Sequence, residues 1–168
     1  MVQTVKVRRG FLLVSVLLIT MILLTLGLTF LGKRALQYRR ASLAEQAAYA
    51  RALAESGLDD ALTKLRRDLE FPPLARDQAA FSYTEEVNAD SGERLGAYRV
   101  TIDGSHRFPP YSVWIITSVG ETGADSAKPL ATRTLRLEFD LSSGLRGEPE
   151  KGNPNYYHVI NFEDLGGL

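Results

Sequence analysis

The pattern of hydrophobic and polar residues divides the chain after about residue 31. The stretch from Phe11 to Leu31 contains no charged residue. As an α-helix it would span roughly 31 Å, about the thickness of the hydrocarbon core of a bilayer. A single segment can satisfy its backbone hydrogen bonds in lipid only as a helix. The run is longer than the apolar region of a secretory signal and does not end in an A-x-A cleavage site, so the pattern predicts a retained membrane anchor.

A second pattern runs over residues 33–70, where small and aliphatic residues recur at spacings of three, four and seven. These spacings place them on one face of an α-helix. Gly57 interrupts the stretch, and either close packing against a sheet or a kink would account for it. Asp60 and Lys64 are spaced to form an ion pair on the helix surface. The proline pair at 72–73 ends the predicted helix near residue 70. The predicted stripe consists of Leu36, Leu43, Ala47, Ala50, Ala54, Leu58, Ala61, Leu65 and Leu69.

The rest of the sequence alternates as β-strands do. Strands are predicted at 81–87, 98–102, 111–119 and 135–141, separated by clusters rich in Gly, Pro and Asp. The third is apolar on both faces, which is typical of a central strand. Short connections favour an antiparallel meander. A linker-like run follows Leu141, and residues 156–162 are a candidate edge strand.

These patterns predict an α+β fold, in which a long N-terminal helix packs on a three- to four-stranded antiparallel meander sheet. The first half of the helix would span the membrane. The predicted core joins Leu58, Ala61, Leu65 and Leu69 of the helix to Trp114 or Ile116, Leu135, Leu137 and Phe139 of the sheet.

Charge is distributed unevenly although the net charge is zero. Residues 1–40 contain seven basic and no acidic residues, so residues 41–168 contain 13 basic and 20 acidic ones, a net of −7. An acidic domain would repel phosphates, which argues against nucleic-acid binding. Basic residues lie on both sides of the apolar run, so the positive-inside rule predicts no orientation. The chain has no cysteine and therefore no disulfide framework.

The sequence contains no constellation that indicates an enzyme. His106 and His158 lie in predicted loops beside aromatic residues and are expected at the surface. Nucleophile-elbow and phosphate-loop motifs are absent. Turn carboxylates at 90, 93, 121 and 125 could bind calcium but match no EF-hand loop, so solvated turns are favoured. Glu85 and Glu86 are expected to be solvated strand residues. We therefore predict no catalytic residue, metal site or cofactor.

The N-terminus resembles that of a prepilin, because Lys6, Arg8 and Arg9 precede Gly10 and Phe11 opens the apolar run. The segments 54–62, 117–120 and 131–134 are similar to those of PilX-type minor pilins and K-type minor pseudopilins. The resemblance covers about residues 6–141. It implies cleavage by a membrane prepilin peptidase between Gly10 and Phe11, followed by methylation of Phe11. The helix would then remain on the mature protein and pack against other pilins.

The sequence departs from the pattern of the resemblance at one position. Major pilins carry Glu five residues into the mature chain, where this sequence has Ser15. That carboxylate is thought to pair with the N-terminal amine of a neighbouring subunit, so Phe11 and Ser15 bear on assembly.

The resemblance and the patterns together imply five segments. These are a leader at 1–10, a transmembrane half-helix at 11–31, a soluble half-helix at 32–71, a sheet head at 72–141, and a linker and tail at 142–168.

Three functions remain open at this point. The first is a minor pilin that helps to start or cap a type IV pilus, located in the inner membrane with its head outside the cytoplasm and at or near the pilus tip. The second is a minor pseudopilin of a type II secretion system. The third is a single-pass anchored binding protein that forms no filament. Cleavage after Gly10 separates the first two from the third.

Overall fold

A computed structural model describes residues 9–68, 70–75, 77–145 and 147–167, with side chains from Leu12 onward. One α-helix, α1, covers Arg9–Arg67. Seven strands follow: β1 Ala80–Asn88, β2 Arg94–Asp103, β3 Val113–Thr122, β4 Ala131–Asp140, β5 Gly144–Leu145, β6 Glu148–Gly152 and β7 Val159–Gly166. The chain forms two compact units that divide between Ser42 and Leu43, and the second is called the head below.

The head confirms the predicted α+β fold, in which the long N-terminal helix packs on an antiparallel meander. Its main sheet has five strands in the order β1-β2-β3-β4-β7, and every neighbouring pair is antiparallel. The fifth strand is β7, which occupies the edge predicted for residues 156–162. It begins three residues later than predicted, at Val159, and ends at Gly166. A small hairpin of β5 and β6 lies in the segment that was expected to be a linker.

The hydrophobic core lies between α1 and one face of this sheet. Leu58, Ala61 and Leu65 of α1 are at most 4 % exposed. They belong to the same buried cluster as Ile116, Leu135, Leu137 and Phe139, as the sequence predicts. Trp114 packs against this cluster but remains partly exposed. Leu69 lies outside the described residues.

The buried part of the helix stripe is shorter than its periodicity suggests. Ala50 is the first fully buried residue of α1, whereas Leu36, Leu43 and Ala47 are exposed. The head therefore covers only part of the predicted stripe, and the first three residues of the stripe lie outside the core. The periodic pattern identifies a face of the helix, but only the segment from Ala50 to Leu65 has a sheet to cover that face.

Two glycines allow α1 to approach the sheet closely. A Cβ on Gly120 of β3 would lie 2.5 Å from the backbone nitrogen of Ala54. A Cβ on Gly57 would lie 2.9 Å from the ring of Tyr98 on β2. Real Cβ atoms do not tolerate such distances. At Gly120 the main chain of β3 therefore meets the main chain of α1, and at Gly57 the main chain of α1 meets the Tyr98 ring. Close packing, rather than a kink, therefore accounts for Gly57.

α1 ends at Arg67, three residues before the predicted end. Lys64, Arg66 and Arg67 occupy its last turn, where positive charge favours the negative end of the helix dipole. The Asp68 carboxylate then accepts a hydrogen bond from the Glu70 amide at 2.9 Å. The proline pair at 72–73 prevents the helix from resuming.

Candidate membrane and assembly surface

From Leu12 to Leu31, α1 exposes all of its large apolar side chains. Between Leu12 and Leu31 these side chains are 53–68 % exposed, and none is buried against another part of the described chain. The helix is long and apolar enough to cross a membrane, by its length and composition. Its 20 residues from Leu12 to Leu31 would span about 30 Å. This surface is compatible with a membrane anchor.

The three threonines within this segment form hydrogen bonds to carbonyl groups of their own helix. Thr20 donates a hydrogen bond to the Leu17 carbonyl at 2.9 Å, and Thr25 donates one to the Ile22 carbonyl at 2.8 Å. Thr29 likewise donates to the carbonyl of Thr25 at 2.8 Å. A hydroxyl bonded in this way places no unsatisfied donor in an apolar medium. The threonines therefore leave the apolar character of the surface intact.

The predicted processing junction lies at the start of this helix. The backbone is helical from Arg9 and includes Gly10 and Phe11. Lys6 and Arg8 lie outside the described residues. Ser15 is on the helix and partly exposed. The geometry does not test cleavage or methylation, which stay predictions.

Five polar side chains tie α1 to the first two strands of the head. The Lys64 ammonium contacts the carboxylates of Asp60 and Glu85, at 2.6 Å in each case. Tyr83 donates a hydrogen bond to Asp60 at 2.7 Å, and Tyr98 donates one to Glu85 at 2.8 Å. The predicted Asp60–Lys64 pair is thus confirmed, but Glu85 is not simply solvated. Each carboxylate is matched by donors, so this cluster connects the helix to the sheet.

The pKa values in the cluster follow from these contacts. Burial, reinforced by the hydrogen bond to Asp60, raises the pKa of Tyr83 above its ordinary value. Burial and the Glu85 carboxylate do the same to the pKa of Tyr98. Burial lowers the pKa of Lys64, but the two carboxylates outweigh it, so that pKa is raised overall. Because all three pKa values are raised, the three groups stay protonated at neutral pH and do not serve as bases.

A second polar network holds the C-terminal part of the head, and the sequence patterns gave no sign of it. Asp140 at the end of β4 is 8 % exposed. Its carboxylate accepts hydrogen bonds from the backbone and hydroxyl of Ser142, and from the Asn153 amide at 2.7 Å. Burial raises the pKa of Asp140, but these hydrogen bonds outweigh it and leave that pKa below its ordinary value. The Tyr157 ring packs edge-on against Phe139, with centroids 5.2 Å apart.

The histidine rings are not among the groups of these two networks, although the His158 carbonyl accepts a hydrogen bond from the Asp140 amide at 3.0 Å. The ring of His106 meets Tyr111 edge-on at 5.3 Å between centroids. His158 places Nδ1 2.8 Å from the carbonyl oxygen of Tyr156. Neither contact combines a nucleophile, a base and a carboxylate. Within the ranges that the structure describes, no group of three or more His, Asp or Glu side chains could hold a metal ion.

Comparisons with protein-family models, with curated proteins and with solved structures find no match to this chain.

Proposed function

We propose that this protein is a pilin-like subunit, anchored by residues 11–31 and carrying its head on the same helix. The strongest support for this proposal is the contrast between an exposed apolar part and a buried part of the same helix, α1. Leu12–Leu31 exposes every large apolar side chain, whereas Ala50–Leu65 buries its stripe against an antiparallel meander. A fully exposed apolar helix needs lipid or other helices around it. A filament subunit meets lipid before assembly and other helices after it.

Within this class, we favour a non-enzymatic minor pilin that helps to start or cap a type IV pilus. The supporting residue is Ser15, which stands where the resemblance implies a glutamate in a major pilin. In a low-dielectric filament core, a neutral hydroxyl is a weaker partner for an ammonium group than a carboxylate is. A subunit at the tip has no subunit ahead of it to engage. The protein would reside in the inner membrane with its head outside the cytoplasm until assembly.

The first experiment determines the N-terminus by mass spectrometry, in cells with and without an active prepilin peptidase. We expect the mature chain to begin at N-methylated Phe11 only where the peptidase is active. Gly10→Leu should block cleavage, while Thr4→Leu, an equally bulky change elsewhere in the leader, should not. An intact Met1 terminus in the presence of active peptidase would favour the anchored binding protein that forms no filament.

A second experiment addresses the position in the filament. Quantitative blotting of sheared filaments should find the wild-type chain scarce, and deletion of the protein should reduce the number of filaments. Ser15→Glu should increase its share within the filament, whereas Ser15→Ala should not. A wild-type chain as abundant as the major pilin would rule out the tip assignment.

A further inference from the structure

Four basic side chains follow the apolar segment directly and are here called the basic collar: Lys33, Arg34, Arg39 and Arg40. All four are exposed on α1. The first acidic residue of the chain is Glu45, so no carboxylate lies among them. The Arg34 guanidinium lies 5.1 Å from the centre of the Phe30 ring, at the end of the apolar segment. The collar therefore places four positive charges, with no carboxylate among them, directly beside the exposed apolar segment of α1.

The charges of the collar surround the helix. At 100° per residue, Arg34, Arg39 and Arg40 lie roughly 100°, 240° and 340° around the axis from Lys33. A partner that approaches from one side, such as a nucleic-acid backbone or a protein groove, would be complemented by positive charges along one face of the helix. A membrane surface encloses a helix that passes through it. The angular distribution of the charges therefore favours a membrane.

The height of the collar also matches a membrane surface. From Lys33 to Arg40 the helix rises by about 10 Å. The polar headgroup layer of each leaflet is about 5–8 Å thick, and the collar begins within two residues of Leu31. Tyr38, which is 75 % exposed, lies in the same segment, and tyrosine is enriched at membrane–water interfaces. The charges thus fall at the depth of lipid phosphates and just beyond it.

We propose that the basic collar binds the headgroups of anionic phospholipids and enriches them around this protein. The proposal rests on the membrane anchor of the proposed function. Each lysine or arginine near an anionic surface strengthens the attraction by up to about fivefold, and the effect fades within a Debye length. Anionic lipid would hold the subunit in the bilayer, so its release into a filament would become harder as the anionic fraction rises.

The test uses the full chain in phosphatidylcholine vesicles that contain a minor fraction of phosphatidylglycerol. Flotation at alkaline pH first establishes whether the chain is inserted. Electron spin resonance with spin-labelled phosphatidylglycerol or phosphatidylcholine then measures how much of each lipid is immobilised by the protein. The test variant is Arg39→Gln/Arg40→Gln. Its matched control is Arg66→Gln/Arg67→Gln, a second exposed arginine pair on α1 that belongs to the head.

We expect the wild-type protein to immobilise phosphatidylglycerol preferentially and to lose that preference at high salt. The collar variant should reduce the preference by at least about threefold, and the control variant should leave it unchanged. Equal immobilisation of the two lipids by wild type, or equal losses in the two variants, would overturn the proposal. A chain that does not float with the vesicles would contradict the membrane anchor itself, which keeps the two failures distinct.

Discussion

Replacing Leu65 by alanine is the most direct test of the contact between helix and sheet. Leu65 is 1 % exposed within the core cluster. The change removes three carbon atoms, which corresponds to a transfer free energy of about 2.4 kcal/mol. The cavity left behind adds to this, because packed surroundings relax only in part. We therefore expect the free energy of unfolding of the head to fall by about 3–4 kcal/mol.

The assay is urea unfolding of the detergent-solubilised chain, followed through the fluorescence of Trp114, its single tryptophan. Leu43→Ala is the matched control, because it is the same change on the same predicted stripe at a residue that is 65 % exposed. It should cost less than about 1 kcal/mol. Arg67→Ala should stay within about 0.5 kcal/mol. Similar losses for Leu65→Ala and Leu43→Ala would show that the buried face has been assigned wrongly.

Three further changes probe the glycine contact and the two polar networks. Gly120→Ala should destabilise the head by about 1–3 kcal/mol, because the added Cβ would meet the main chain of α1 near Ala50. Asp140→Asn should cost about 1–3 kcal/mol at pH 7 in urea unfolding. Because the pKa of Asp140 is lowered in the folded state, its contribution is present above the ordinary carboxyl pKa of about 3.9 and is lost as the pH falls through the lowered value, so the difference between wild type and variant should shrink on acidification. Tyr83→Phe should cost about 1 kcal/mol, since it removes the hydrogen bond donated to Asp60.

Each of these changes has a control at an exposed position of the head. Gly152→Ala places its Cβ in open space, and Asp90→Asn alters an exposed turn. Tyr111→Phe removes the hydroxyl of a side chain that is 64 % exposed. All three controls should stay within about 0.5 kcal/mol of wild type. A control as damaging as its test variant, or an Asp140→Asn penalty that does not shrink as the pH is lowered, would contradict the assigned contacts.

Local pattern was sufficient to predict the helix, the first four strands and their antiparallel order. Alternation along β4 identified Leu135, Leu137 and Phe139 as the buried face, and burial confirms it. Pattern did not predict how much of α1 would be covered, since the length of that contact depends on the dimensions of the folded sheet. The β5–β6 hairpin was missed because its glycines, its proline and its charges have the composition of a linker.

The polar contacts were predictable only where they are local in sequence. Asp60 and Lys64 are four residues apart on one helix, and their pairing follows from that spacing. Glu85 reaches Lys64 across 21 residues, through the placement of β1 beside α1. The Asp140–Asn153 contact depends in the same way on the return of the chain after β4. Such contacts are consequences of the tertiary fold and leave no periodic signal.

The close approach at Gly57 and Gly120 also bears on how many arrangements the head can adopt. A rotation of α1 by one residue would bring other atoms of the helix against Gly120, where the main chain of α1 near Ala50 already lies so close that even a Cβ on the glycine is excluded. Such alternatives are therefore separated from the native packing by steric overlap as well as by lost hydrophobic contact. A wide energy gap of this kind favours one conformation over a set of related ones. We expect the head to unfold in a single cooperative transition and to give well-dispersed, narrow NMR signals from the methyl groups of its core.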